Sequence, residues 1–169
     1  GRLPMSDFGD VHRFNVTGLF HDMWGFPSNN PRVVNELLHH LVDKIENNVH
    51  AITRFKEHFV DDADYLMISY GSSARSAIHL AKDRRKRGEK IGVLEMQSLW
   101  PFPTALIREK CAGRRAILVV EMNMGQVAAQ VKAAVDRPWD VFLANRIDGR
   151  LVTPMDIKQL LRVIQGRGV

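Results

Sequence analysis

Short apolar runs alternate with helical patterns along the chain from residue 64 onward. The runs begin at residues 65, 91, 116 and 141, so successive starts lie 26, 25 and 25 residues apart. Nearly continuous apolar runs of this length are typical of strands covered on both faces. Strands that alternate with helices at this spacing predict a parallel sheet built from βα units. The expected strands are 65–70, 91–96, 116–122 and 141–145.

Helices are predicted where apolar residues recur every three or four positions. Asn30-Pro31 caps a helix that should run to Val49 or a little further. Thr153-Pro154-Met155-Asp156 begins the last helix with a variant capping box, and that helix should end near residue 165. The other expected helices are 74–87, 104–111 and 125–135.

Composition divides the chain into three regions. Residues 1–30 are rich in Gly, Pro, Asn and Asp, with one short apolar alternation at Phe14–Thr17, which predicts an extended arm or interdomain linker. Residues 31–60 predict a linking helix followed by the segment Thr53–Val60, where Phe55 and Phe59 suit either a helix end or an edge strand. Residues 61–169 form the predicted α/β domain. Since the chain has no initiator Met at position 1 and no apolar leader, we expect it to be a natural piece of a longer protein or a trimmed form of one.

Charge and cysteine content exclude several classes of protein. The 24 basic and 19 acidic residues among 169 give a formal charge of +5. The sequence contains no apolar window of 18 residues, so no membrane span is predicted. A basic cluster at residues 82–87 is either a solvated helix end or a partner site, and without interleaved aromatics it does not favour nucleic acid. The single Cys111 cannot hold an iron–sulfur cluster, and it fits a reducing, cytoplasmic setting.

The best local candidate for ligand binding is the turn Gly71-Ser72-Ser73, where a predicted strand passes into a helix. Backbone N–H groups and hydroxyls at such a turn either hold an anion or simply cap the helix. The chain contains neither a dinucleotide fingerprint nor a P-loop motif. The turn is therefore a weak candidate for cofactor binding.

Other polar residues do not combine into a recognisable catalytic set. His39 and His40 are adjacent on a helix, so they point in different directions and predict no metal site. His21-Asp22 in the arm is an isolated pair. Glu95 and Glu121 end two strands, where a functional role, a helix cap and an ion pair all remain open. We predict no catalytic residue and no metal site in this chain.

Exposed aromatic and methionine residues are candidates for an interface. The turn Trp100-Pro101-Phe102-Pro103 follows the second predicted strand, and it either packs on its own domain or joins Met122 and Met124 in a partner surface. Trp24 and Phe26 in the arm also need a surface on which to pack. The interface candidates are Trp24, Phe26, Trp100, Phe102, Met122 and Met124.

Six short motifs in a fixed order resemble those of a known family. They are Phe14-Asn15-Val16-Thr17-Gly18-Leu19 with His21-Asp22, Gly25-Phe26-Pro27, Tyr70-Gly71-Ser72, Leu99-Trp100-Pro101-Phe102-Pro103, Val120–Gln126, and Asp148-Gly149-Arg150 ahead of Thr153-Pro154. Together they resemble the carboxyl-terminal part of the alpha subunit of 2-oxoacid:ferredoxin oxidoreductases. The resemblance implies a fold like the transketolase carboxyl-terminal domain, a three-layer α/β/α sandwich around a five-stranded, mostly parallel sheet with one antiparallel strand.

The resemblance also implies a function for the whole complex. Such enzymes convert a 2-oxoacid and coenzyme A into an acyl-CoA, CO₂ and reduced ferredoxin, and 2-oxoglutarate is the favoured substrate here. Thiamine diphosphate, Mg²⁺ and iron–sulfur clusters are expected in other domains or subunits. The implied partners are the thiamine-binding domain, the beta subunit and ferredoxin, with neither nucleic acid nor membrane. An independent CoA- or nucleotide-binding module and an assembly domain of an unrelated complex remain alternatives.

Overall fold

The chain forms two compact units, Gly1–Asn48 and Val49–Val169, in a computed structural model that describes residues 6–11 and 17–166. In the first unit, helix α1 spans Pro31–Glu46, and the Asn30 side chain caps it by accepting a hydrogen bond from the N–H of Arg32. The predicted Asn30 cap is confirmed, whereas the helix ends three residues earlier than expected. The apolar alternation predicted at Phe14–Thr17 lies, except for Thr17, outside the described residues.

The second unit is built around a five-stranded sheet. The strands are β1 (Phe55–His58), β2 (Tyr65–Tyr70), β3 (Ile91–Met96), β4 (Ala116–Glu121) and β5 (Val141–Asn145). Their order in the sheet is β1-β3-β2-β4-β5, with β1 antiparallel to β3 and the other neighbouring strands parallel. The four expected parallel strands and the mostly parallel sheet are confirmed, and the fifth strand lies within the segment Thr53–Val60.

Helices cover both faces of this sheet and complete three layers. The α-helices of this unit are α2 (Val49–Ile52), α3 (Gly71–Arg85), α4 (Thr104–Cys111), α5 (Gln126–Ala134) and α6 (Pro154–Gly166). On one face, α4 and α5 pack through Ile107, Cys111, Val127 and Val131 against Leu66, Ile68 and Val119. On the other face, α3 and α6 pack through Ala77, Leu80, Ile157 and Leu161 against Met67, Val93 and Leu118.

Two local features decide how strands and helices connect. Strand β2 passes directly into α3 at Gly71, and the φ of +57° at this residue favours glycine. Because no loop separates the two elements, α3 begins three residues earlier than the predicted residue 74. At the start of α6, the Asp156 carboxylate accepts hydrogen bonds from the N–H and hydroxyl of Thr153, and the Thr153 hydroxyl accepts one from the N–H of Asp156. This reciprocal arrangement confirms the predicted capping box.

Candidate functional site: the carboxyl edge of the sheet

Polar side chains from three strands form a network at the carboxyl edge of the parallel sheet. Tyr70 ends β2, Glu121 ends β4, and Asn145 ends β5. The hydroxyl of Tyr70 lies 3.3 Å from Oε2 of Glu121, and the amide nitrogen of Asn123 lies 2.6 Å from the same hydroxyl. The amide of Asn145 donates to the carbonyl oxygen of Asn123 at 2.7 Å. The network therefore ties three strand ends together.

Glu121 is fully buried and caps helix α5 from inside the protein. Its Oε1 accepts a hydrogen bond from the N–H of Ala128 at 3.0 Å, and its Oε2 accepts one from Val127 at 3.1 Å. Asn123 Oδ1 accepts from the N–H groups of Gly125 and Gln126. The amino end of α5 is thus already filled by side-chain oxygens, and it offers no open site for an anion.

The candidate turn Gly71-Ser72-Ser73 lies beside this network, and most of its polar groups bond within the protein. The Ser73 hydroxyl is buried and lies 2.8 Å from the carbonyl oxygen of Tyr70 and 3.2 Å from that of Val120. The hydroxyl of Ser72 is exposed and lies 3.4 Å from the sulfur of Met122. Only Gly71 and Ser72 therefore present polar groups of this turn to solvent.

The ionisable candidate residues are either buried or paired with another side chain. Burial, together with the Glu121 carboxylate, raises the pKa of Tyr70 above its ordinary value. Glu95 pairs with His58 at 2.9 Å across the β1–β3 ladder. Burial raises the pKa of the Cys111 thiol to about 12, which leaves it a poor nucleophile at neutral pH. A helix cap and an ion pair are among the roles that the sequence allows for Glu95 and Glu121. In the structure Glu121 caps α5, and Glu95 pairs with His58.

The other candidate residues are spread over separate elements. The basic cluster 82–87 is largely paired, because Arg84, Arg85 and Arg87 each contact an acidic side chain. The His21 ring is hydrogen-bonded to the Thr17 hydroxyl, and the Asp22 carboxylate accepts backbone N–H groups of its own turn. The Asp22 carboxylate therefore does not orient the His21 imidazole. Within residues 6–11 and 17–166, no three His, Cys, Asp or Glu side chains are grouped as metal ligands.

The interface candidates differ in how far they reach into solvent. Trp100 is 69% exposed and Met124 is 77% exposed at the carboxyl edge, whereas Phe102 and Met122 are half-buried against the two cores. In the first unit, Trp24 and Phe26 are 75% and 63% exposed on a turn held by the Asp22 carboxylate. An interface role for these six side chains stays a prediction.

A protein-family comparison matches most of the sheet unit to a known family. The profile described as "Pyruvate:ferredoxin oxidoreductase core domain II" matches residues 63–157, which include all four parallel strands. The chain belongs to this family. The resemblance carried by the six motifs is thereby confirmed, and the matched residues contain four of the motifs in full.

Curated relatives with 35–38% identity are named as subunits of 2-oxoglutarate synthase or ketoisovalerate oxidoreductase. The 2-oxoglutarate synthase subunit KorA of Methanothermobacter marburgensis is 38% identical over 90% of this chain and 41% of the relative. The subunit of the same name from Methanothermobacter thermautotrophicus is 35% identical over 95% of this chain and 43% of the relative. A ketoisovalerate oxidoreductase subunit VorB of the latter organism is 35% identical over 73% of this chain and 34% of the relative. The chain therefore spans about two fifths of the length of these KorA relatives.

Solved structures show the same architecture. The 2-oxoglutarate:ferredoxin oxidoreductase from Magnetococcus marinus superposes with a TM-score of 0.81 at 22% identity, over 95% of this chain and 28% of that chain. A split-gene transketolase superposes with a TM-score of 0.53 at 18% identity, over 67% of this chain and 40% of that chain. These similarities confirm the expected transketolase-like fold. Among the helices described, none is long and apolar enough to cross a bilayer.

Proposed function

We propose that this chain is a non-catalytic assembly domain of a thiamine diphosphate-dependent 2-oxoacid:ferredoxin oxidoreductase. The whole enzyme would convert a 2-oxoacid and coenzyme A into an acyl-CoA, CO₂ and reduced ferredoxin. The observation that carries the proposal is the family match over residues 63–157. The names of the relatives favour 2-oxoglutarate as the substrate, with branched-chain 2-oxoacids next.

The described residues of this chain do not fit the cofactors of such an enzyme. The Mg²⁺ ion of a diphosphate site takes oxygen ligands, and the described residues bring no three His, Cys, Asp or Glu side chains together as a candidate ligand set. The amino end of α5 is closed by Glu121 and Asn123, and the hydroxyl of Ser73 bonds within the protein. The only cysteine cannot bind a cluster alone. We therefore assign thiamine diphosphate, Mg²⁺ and the iron–sulfur clusters to other parts of the complex and derive no catalytic step here.

The work we assign to this domain is packing against its neighbours. Trp100 and Met124 expose large apolar surface at the carboxyl edge, and aromatic and methionine side chains are enriched in protein interfaces. Met124 directly follows Asn123, whose side chain belongs to the hydrogen-bond network, so that network fixes the loop that carries Met124. In this proposal, the neighbours are the thiamine-binding domain and a beta subunit, and ferredoxin is reached through the complex. The proposed setting is the cytoplasm.

Native co-purification tests the proposal. A tagged version of the protein, expressed in its source cell, should co-purify with the thiamine-binding and ferredoxin-reducing parts of the enzyme, identified by mass spectrometry. The assembly should reduce ferredoxin with 2-oxoglutarate and CoA faster than with pyruvate. W100E and M124E should lower the yield of partner chains, whereas M155E, an exposed methionine on α6, serves as the control. Recovery without any such partner would contradict the proposal.

The alternative of an independent CoA- or nucleotide-binding module is tested separately. Calorimetric titration of the isolated chain with CoA, ATP and thiamine diphosphate should give no saturable heat, because the Gly71-Ser72-Ser73 turn offers few free polar groups. Binding that is lost in S72A would favour the alternative instead.

A further inference from the structure

The two helical layers of the sheet unit differ in charge. Residues 71–87, which comprise α3 and the two residues after it, hold six basic side chains and one acidic, and α6 holds two basic and one acidic. With eight basic and two acidic side chains, this layer carries a formal charge of +6, which exceeds the +5 of the whole chain. Helices α4 and α5 in the opposite layer together hold three basic side chains and one acidic. The positive charge of the protein is thus concentrated on the α3/α6 layer.

Internal ion pairs consume the acidic side chains of this layer and leave many of its cations unpaired. Three acidic residues belong to the layer or adjoin it, and each has a partner: Asp83 with Arg87, Glu89 with Arg84, and Asp156 with Arg146. Asp62 of the β1–β2 loop pairs with Arg85. Among the described residues, no acidic side chain pairs with a further group of five, which we call the cationic face: Arg75, Lys82, Lys86, Lys158 and Arg162.

The α3 part of the cationic face forms a row along one side of the helix. Arg75, Lys82 and Lys86 are separated by seven and four residues, which places them above one another on a helix. All three are exposed, and the exposed His79 lies between the first two. Eleven residues at 1.5 Å each make the row about 17 Å long.

Helix α6 adds a second row beside the first. Lys158 and Arg162 are four residues apart, so they also share one side of their helix. Gln165, three residues after Arg162, donates a hydrogen bond of 3.2 Å to Glu89, which lies just beyond the end of α3. The two helices therefore end side by side, and the two rows of cations run along neighbouring helices.

Helix stability accounts for only part of this charge. The helix dipole favours cations in the last turn, which suits Lys82 and Lys86, but it acts little beyond the terminal turns. Arg75 and Lys158 each lie four residues after the first residue of their helix, so the dipole does not stabilise them. Lys82 and Lys86 are four residues apart on one helix, and like charges at this spacing repel each other. The cationic face is therefore better suited to binding an anionic partner than to supporting the fold.

The helices of this layer favour an acidic protein as that partner. Neither α3 nor α6 contains a Phe, Trp or Tyr side chain on which nucleic-acid bases could stack. The apolar sides of both helices, including Leu80 and Leu161, are buried against the sheet, so they do not insert into a bilayer. We propose that the cationic face binds an acidic protein segment, whose carboxylates pair with basic side chains of both helices.

Fluorescence anisotropy with the full chain tests this binding. The probe is a labelled peptide of about fifteen glutamates, which is longer than the 17 Å row whether it binds as a helix or extended. We expect saturable binding in about 50 mM NaCl that weakens at least about tenfold in about 300 mM NaCl, because salt screens contacts between exposed charges. K82E/K86E should raise the dissociation constant at least about tenfold, whereas K82R/K86R, which keeps both charges, should change it less than about twofold.

A charge-matched variant separates this face from the net charge of the protein. R108E/K132E reverses two exposed cations on α4 and α5, and it should raise the dissociation constant less than about threefold. R162E tests the α6 row and should raise the dissociation constant at least about threefold. Circular dichroism checks that each variant is folded. If R108E/K132E fails to fold, the single variants K82E and K132E decide, since both lysines are exposed on helices.

Four results would overturn the proposal. They are the absence of saturable binding, equal weakening by K82E/K86E and R108E/K132E, an R162E variant that binds like the parent chain, and tighter binding of a single-stranded oligonucleotide or of phosphatidylserine vesicles than of the peptide. None of these results bears on membership of the oxidoreductase complex, which the co-purification experiment addresses.

Discussion

Replacing Glu121 by alanine should strongly destabilise the sheet unit, because this carboxylate satisfies buried donors. It accepts hydrogen bonds from the N–H groups of Val127 and Ala128 and lies within bonding distance of the Tyr70 hydroxyl. Each buried N–H left without an acceptor costs about 1–3 kcal/mol. Two such groups are exposed by the substitution, and water entering the vacated space lowers the cost of each. The expected loss in the free energy of unfolding is therefore about 3–4 kcal/mol.

Glutamine at position 121 should fall between the parent protein and the alanine variant. Its amide oxygen accepts from one of the two backbone N–H groups, but its NH₂ group cannot accept from the other. We therefore expect E121Q to cost about half as much, about 1.5–2 kcal/mol. Loss of the tyrosine hydroxyl in Y70F should cost no more than about 1 kcal/mol, since both backbone bonds remain.

Urea denaturation followed by circular dichroism measures these differences. The dependence of the unfolding free energy on urea should keep its slope, which shows that stability rather than compactness has changed. E109A is the matched control, because the Glu109 side chain is 70% exposed on α4, and it should change the free energy by less than about 0.5 kcal/mol. A loss below about 1 kcal/mol for E121A, with an unchanged slope, would refute the internal cap as a main support of α5.

Three further predictions concern packing, pH and thiol chemistry. G92A should lower the free energy of unfolding, measured in urea, by about 1–3 kcal/mol, because a Cβ at residue 92 would lie 2.6 Å from a backbone oxygen of the β1–β2 loop. G166A is the control, since a Cβ at residue 166 meets open space and should leave the free energy of unfolding nearly unchanged. Arg146 lowers the pKa of Asp148 to about 2, so the stabilisation from the ionised Asp148 carboxylate is present above the pKa of the unfolded chain and is lost as the pH falls through about 2. The difference in Tm between the parent protein and D148N should therefore shrink from pH 5 to pH 2. A difference that stays constant over this range would contradict the prediction. Cys111 should react with a disulfide reagent at pH 8 slowly when folded and rapidly in urea; equal rates would contradict its burial.

Local sequence signals were strongest where the chain alternates regularly between strands and helices. The apolar runs beginning at residues 65, 91, 116 and 141 became β2, β3, β4 and β5 with the same starts. Both predicted caps formed, at Asn30 and at Thr153 with Asp156. These features depend on neighbours only a few residues away, so sequence order is sufficient to specify them.

Edge strand β1 is ambiguous in the sequence because Phe55 and Phe59 suit a helix end as well as an edge strand. Its conformation is decided by pairing with β3, by the contact between His58 and Glu95, and by the ion pair between Glu57 and Lys110. Both side-chain contacts join residues far apart in sequence. A pattern confined to one segment cannot report such partners.

The candidate site divides in the same way. From sequence alone, the strand ends, the Gly71-Ser72-Ser73 turn and the family motifs predict which residues gather at one edge of the sheet. Only the tertiary structure decides that Glu121 faces inward to cap α5, that Ser73 bonds to the β4 backbone, and that β5 stands at an edge of the sheet. Strand position is encoded in local periodicity, whereas hydrogen-bond partners and strand order depend on how distant segments pack together.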